Sequence, residues 1–187
     1  MRTCIATLLL ALGLASPASA DDATIVLRDF MPLELGAGRL DRNTAGALVA
    51  QALTAPRAPA PPISQVAVLA VGSSQAGGWE YMTSPEQLST ALDHGGSELR
   101  VVVRQIGYGG SPIGSLWGSA LPRGAQYMTE RLCVDGSGYT QQCQPGQTIV
   151  GWLYYFSLDG AQDGEFGFQN TSLNAPFNTA YTAIHIR

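Results

Sequence analysis

Three observations on the 187-residue chain predict a mainly β fold, a β-sandwich or open barrel with one short helix and an irregular N-terminal extension. Apolar residues alternate with polar ones in several runs beyond residue 62, the period of a half-buried strand. The 22 glycines fall largely between those runs, where turns are needed. Charged residues make up only 13% of the chain, against about 25% in an average domain, which suits a β-rich domain better than a helical one.

Residues 1–20 read as a secretory signal peptide. Arg2 supplies the positive start, Ile5 to Leu14 the apolar run, and Ala18-Ser19-Ala20 the small-residue cleavage site. The apolar run is shorter than the ~20 residues that span a bilayer, so no membrane anchor is expected and the protein is expected to be secreted or periplasmic. Residues 21–62 form an N-terminal extension and Pro-rich linker. Within it Thr24 to Leu27 suits a strand, and Asn43 to Leu53 suits a short helix capped by Asn43. The run Ala55-Pro56-Arg57-Ala58-Pro59-Ala60-Pro61-Pro62 is an extended spacer. The β-rich domain is placed at 63–187.

In that domain Gln65 to Val71 is a buried strand ending at Gly72-Ser73-Ser74. Ser84-Pro85-Glu86-Gln87 has the form of a capping box and predicts a short helix, stopped by Gly95-Gly96. Leu99 to Ile106 is a strand with Leu99, Val101 and Val103 on one face and Arg100, Val102 and Arg104 on the other. Thr148 to Leu158 is apolar on both faces and predicts a central strand. Asp159-Gly160 and Asp163-Gly164 predict a hairpin turn into a strand opened by Phe166 and Phe168. Thr179 to Ile186 is the last strand, with Ile184 and Ile186 inward and Tyr181 and His185 outward.

Cys133 and Cys143 bracket a segment rich in turn formers and are expected to form a disulfide in an oxidising compartment. With those two cysteines paired and only two histidines, His94 and His185, no metal site is expected, and no cofactor. Gly107-Tyr108-Gly109-Gly110 lacks the third glycine and the helix of a dinucleotide fingerprint. A net charge of −4 without a basic stripe argues against nucleic acid.

Gly72-Ser73-Ser74-Gln75-Ala76 follows a strand like a nucleophile elbow but ends in alanine, not glycine. Ser74 with His94, or a carboxylate pair drawn from Glu80, Glu98, Glu130 and Glu165, gives the alternative reading of a secreted hydrolase acting on an envelope or extracellular polymer. The aromatic residues Trp79, Tyr108 and Trp117 lie in glycine-rich segments, where rings on a rigid scaffold serve as binding groups. They predict a non-catalytic binding module for an extracellular glycan, peptidoglycan or protein ligand.

Several segments together, Val71 to Glu80, Gln105 to Gly109, Gly151 to Gly160 and Asn174 to Asn178, with the Cys133/Cys143 pair, resemble the YolA-like family of small secreted bacterial proteins of uncharacterised function. The resemblance covers about 63–187. It implies secretion and one compact domain, and it carries over no active-site residue.

Overall fold

The period-two runs pair into two antiparallel sheets. The computed structural model describes residues 60–135, 138–141 and 143–187. The expected signal peptide, the strand at 24–27, the helix from Asn43 and most of the proline spacer lie outside the described residues.

In chain order the strands are β1 (Gln65–Ser73), β2 (Gly78–Tyr81), β3 (Leu99–Ile106), β4 (Ile113–Leu116), β5 (Ser119–Ala120), β6 (Gln126–Asp135), β7 (Gly138–Thr140), β8 (Ile149–Ser157), β9 (Gly164–Thr171) and β10 (Thr179–Ile186). The larger sheet has the order β2-β1-β3-β8-β6-β7 and the smaller β10-β9-β4-β5. The two sheets stay separate, so the fold is a sandwich and not a barrel.

Alternation decides which side chains meet between the sheets. Leu99, Val101 and Val103 of β3 and Tyr154 and Phe156 of β8 face Phe166 and Phe168 of β9 and Ile184 and Ile186 of β10. The rings interlock across the gap: Tyr154 and Phe156 lie 5.4 Å from Phe168 and Phe166 respectively, tilted contacts worth roughly 0.5–1.5 kcal/mol each beyond area burial. Beside them, a buried amide pair ties the sheets together. Asn170 Nδ2 donates to Gln105 Oε1 at 2.8 Å, while Asn170 Oδ1 accepts from the Ser111 and Thr171 amides. The outer face of the larger sheet carries a second apolar cluster, including Val102, Leu132, Leu153 and Tyr155.

The structure departs from the sequence reading in two places. The helix expected from Ser84 is absent: the only helical element among the described residues is the 3-10 turn Arg123–Ala125. A cap forms only in part: Ser84 Oγ accepts the Glu86 amide and the Ser84 carbonyl accepts the Gln87 amide, while the Gln87 side chain takes the Thr83 amide in place of that of Ser84. The following backbone groups then find other partners. Leu88 and Thr90 bond to His185 on β10, and the Ala91 and Leu92 amides go to the Glu80 carboxylate. One turn alone cannot propagate against such competition.

The expected hairpin at 159–164 is instead a crossover between sheets, because β8 pairs with β3 and β6 whereas β9 pairs with β10 and β4. Asp159 fixes the corner: its Oδ1 accepts the Leu99 amide and pairs with the Arg100 guanidinium. The β9–β10 hairpin turns through Ser172 to Asn178 instead.

Candidate functional site

The residues that point away from the core on the smaller sheet form a continuous face. Across it, Tyr181, Gln169 and Ile113 are register neighbours, and so are Ala183, Gly167, Ser115 and Ala120. A third row holds His185 opposite Glu165, whose carbonyl accepts the Trp117 amide. The middle row is built from small residues, so the face is low along its centre. A Cβ on Gly167 would lie 2.7 Å from Ser115 Oγ and 3.0 Å from Tyr181 Oη, which shows how closely those two polar groups converge over the bare backbone. The resulting depression, about 160 Å³, is lined by Ile113, Ser115, Gly118, Ala120, Phe168, Gln169 and Tyr181.

Two aromatic side chains stand up from this face. Tyr181 is 59% exposed and Trp117 is 61% exposed. Trp117 sits at the tip of the β4–β5 hairpin, edge-on to His185 with ring centres 6.2 Å apart. Tyr181 and His185, the residue that the Trp117 ring meets, are four residues apart on one strand, about 13 Å along the backbone at ~3.3 Å per residue.

The backbone at Trp117 is unusual. Trp117 has φ 51° and Gly118 φ 72°, so both residues of a two-residue hairpin loop adopt positive φ. That is the pattern of a type I′ turn, in which Asn-Gly or Asp-Gly is preferred. A bulky residue there is strained by roughly 1–3 kcal/mol, and such strain clusters at functional positions. The indole is therefore displayed at a cost in local backbone energy and without gaining core burial.

The other two sequence-predicted aromatics are placed elsewhere. Trp79 lies in strand β2, not in a loop, and its ring covers Gly72, where a Cβ would come within 2.6 Å of Cε3. It packs against the outer cluster of the larger sheet. Tyr108 follows β3, donates its hydroxyl to the Ile149 carbonyl at 2.9 Å and meets Trp152 edge-on at 4.5 Å. Neither belongs to the face that holds Trp117. The sequence places Tyr181 outward and assigns it to no site. The strand alternation identified its orientation, but only the pairing of β9 with β4 brings it near Ser115.

His94 joins Ser73, not Ser74. Ser73 Oγ is 3.0 Å from His94 Nδ1, and His94 Nε2 is 3.1 Å from Glu80 Oε2. The composition matches a serine–histidine–carboxylate relay, but Ser73 and His94 are both fully buried, and Ser73 Oγ already accepts the Ala76 amide. A nucleophile must meet its substrate, and no surface reaches this hydroxyl. Glu80 meanwhile accepts the Ala91 and Leu92 amides at 2.7 and 2.8 Å. Burial raises the Glu80 pKa, but those amides and the His94 imidazole outweigh it, and the carboxyl lies below its ordinary 4.5. The chain of contacts fastens the 87–95 segment to β1 and β2.

Cys133 and Cys143 form the expected disulfide, with Cα atoms 5.5 Å apart. Among the described residues no group of three or more His, Cys, Asp or Glu side chains is placed to hold a metal ion. No helix among them is long and apolar enough to cross a membrane.

Fold and face together define a disulfide-containing β-sandwich domain with an exposed aromatic depression on its smaller sheet. The family model described as Domain of unknown function (DUF4879) matches residues 58–186, and the chain belongs to that family. The match begins ahead of β1, in keeping with the hydrogen bonds that tie residues 60–63 to the domain through Tyr108, Ser172, Asn174 and Asn178. No curated protein and no solved structure is matched.

Proposed function

We propose that the outer face of the smaller sheet binds an extracellular or envelope glycan, peptidoglycan included, and that Trp117 and Tyr181 are its stacking platforms. The observation that carries this reading is Trp117 itself, a large apolar ring held exposed on a strained turn. Its surroundings suit a polyhydroxylated, weakly charged ligand. Ser115, Gln169 and the Tyr181 hydroxyl offer hydrogen bonds to such a ligand. Amphipathic rings beside a few fixed polar groups are the usual composition of a small-molecule or glycan surface.

The resemblance to the YolA-like family and the signal-like residues 1–20 support secretion, where such polymers are met. The Cys133–Cys143 disulfide is compatible with that compartment. The hydrolase alternative gains little support from Ser73 and His94, which are buried and act as a structural tie.

The test is retention of purified protein on insoluble polysaccharides and peptidoglycan, with soluble oligosaccharide as competitor. Trp117→Ala and Tyr181→Ala should each weaken binding by about 2 kcal/mol, roughly thirtyfold, while leaving the fold intact. Release of soluble sugar on prolonged incubation would instead support the hydrolase.

A further inference from the structure

The edges of the two sheets are not equally protected. An exposed strand edge offers unpaired backbone groups to any other chain, and proteins blunt such edges with short strands, charges, prolines or bulges. Strands β2, β5 and β7 are short edges, of four, two and three residues. The remaining edge strand, β10, runs for eight residues, and its register with β9 is unbroken from Thr179 to Ile186. It contains no proline, and no charged residue lies between 166 and 184.

The hydrogen bonds of His185 show which backbone groups of β10 face that edge. Its amide donates to the Leu88 carbonyl and its carbonyl accepts the Thr90 amide, so segment 88–90 lies along the edge and makes a parallel bridge at Ser89. Backbone groups alternate in direction along a strand, so Thr179, Tyr181 and Ala183 turn their amides and carbonyls the same way. Among the described residues those groups have no hydrogen-bond partner. Thr179 and Tyr181 are exposed and Ala183 is half-buried. The open stretch 179–183 begins where β10 leaves the β9–β10 turn and ends where segment 88–90 takes over.

We infer that this edge pairs with the same edge of a second copy of the chain, antiparallel and centred on Tyr181. In that register Tyr181 lies opposite its own counterpart and Thr179 opposite the partner's Ala183, so each open backbone group gains a partner.

The side chains favour a second copy over an unrelated peptide. In a self-pairing about a two-fold axis, a charge near the axis lies against its own copy and repels it; this stretch carries none. The same register brings the partner's Phe177 towards His185, beside segment 88–90. Leu88 and Phe177 are 78% and 64% exposed, the most exposed large hydrophobics among the described residues, and the pairing brings them together at both ends. Phe177 also holds φ 55°, a conformation costly for a bulky residue and concentrated at functional positions.

Pairing joins the two smaller sheets into one, with both Tyr181 rings on the same outer face beside the axis. On the glycan-binding reading above, each copy adds a platform to the other's face, but the pairing does not depend on that reading. A strand edge and two side chains bury well under the ~1,200 Å² of a stable interface, so the dimer is weak and reversible.

Sedimentation velocity and amide hydrogen exchange from about 10 μM to about 1 mM protein provide the test. The protein should pass from monomer to dimer over that span, and the Tyr181 and Ala183 amides should exchange roughly fivefold more slowly at its upper end. The Thr182 and Ile184 amides, which face β9, should not change. Tyr181→Lys and Tyr181→Glu should each remain monomeric, and an equimolar mixture of the two should dimerise again. Trp117→Ala should dimerise as the native protein does, so glycan binding and pairing can fail separately.

A protein that is monomeric at every concentration would overturn the inference and leave the edge to a chain of another sequence. So would a dimer whose Tyr181 and Ala183 amides exchange as in the monomer, or protection of those amides that is independent of concentration. A mixture of the two charge variants that stays monomeric would overturn the register centred on Tyr181.

Discussion

Trp117 lies edge-on to His185, 6.2 Å between ring centres, while its own backbone is held at φ 51°. The contact is made across an exposed face and stabilises the domain little, whereas the backbone conformation is one that a bulky residue adopts only at a cost. On the proposed reading, stability and glycan binding pull in opposite directions at this residue. Trp117→Asn supplies the residue a type I′ turn prefers. It should raise stability by about 1 kcal/mol, seen as a melting temperature higher by roughly 2–4 °C, and weaken glycan retention about thirtyfold. A destabilised variant would mean that the indole is held in place by packing and that the turn is not strained.

Gly167 and Gly114 make a contrasting pair on adjacent strands. A Cβ on Gly167 meets the movable ends of Ser115 and Tyr181, while one on Gly114 comes within 2.7 Å of the Phe156 ring in the core. Gly167→Ala should thus leave the melting temperature nearly unchanged and weaken glycan binding about tenfold by filling the depression. Gly114→Ala should cost roughly 1–3 kcal/mol through overpacking. Chemical denaturation of the two variants, alongside a binding assay, distinguishes a site glycine from a core glycine.

Glu80 gives the fold a dependence on acid. Its carboxyl titrates below the ordinary 4.5 in the folded chain, so it contributes stability that is fully present above about pH 4.5. That contribution is lost as the pH falls through the lower folded value. Glu80→Gln removes the charge that accepts the Ala91 and Leu92 amides and should cost roughly 2–4 kcal/mol at neutral pH. The variant's stability should also vary less with pH in the acid range. Parallel slopes for the two proteins between pH 5 and pH 3 would show that another carboxylate governs acid unfolding.

The disulfide spans a sequence separation of 10 residues. Closing so short a loop is worth roughly 2–3 kcal/mol in the chain-entropy model. Reduction, or the paired change Cys133→Ala with Cys143→Ala, should lower stability by about that amount without dispersing the sandwich, since the core between the sheets lies elsewhere. Thiol titration before and after reductant, combined with denaturant unfolding, measures both quantities.

Much of the sandwich was legible in the sequence because alternation fixes strand faces without reference to partners. Leu99, Val101 and Val103 turned inward, and so did Ile184 and Ile186, as the period required. Pairing was less legible. The turn chemistry of Asp159 to Gly164 is that of a hairpin, and nothing local reveals that Arg100, far along the chain, holds Asp159 and sends β9 into the other sheet. The β6 strand is interrupted by bulges near Gln126 and Leu132 that blur its alternation. The helix signal at Ser84 yields a single capped turn, because Glu80 and His185 claim the backbone groups beyond it. The site suffered in the same way: Trp117 stood out by composition, but its companions Tyr181, Ser115 and Gly167 converge only through cross-strand register.

The most direct measurement is the affinity of the native protein and of Trp117→Ala for one insoluble glycan, read by depletion from solution and supported by unchanged circular dichroism. A saturable interaction that falls roughly thirtyfold in the variant is the expected result. No retention on any polysaccharide or peptidoglycan, or equal retention of both proteins, would contradict a glycan-binding role for the Trp117 face.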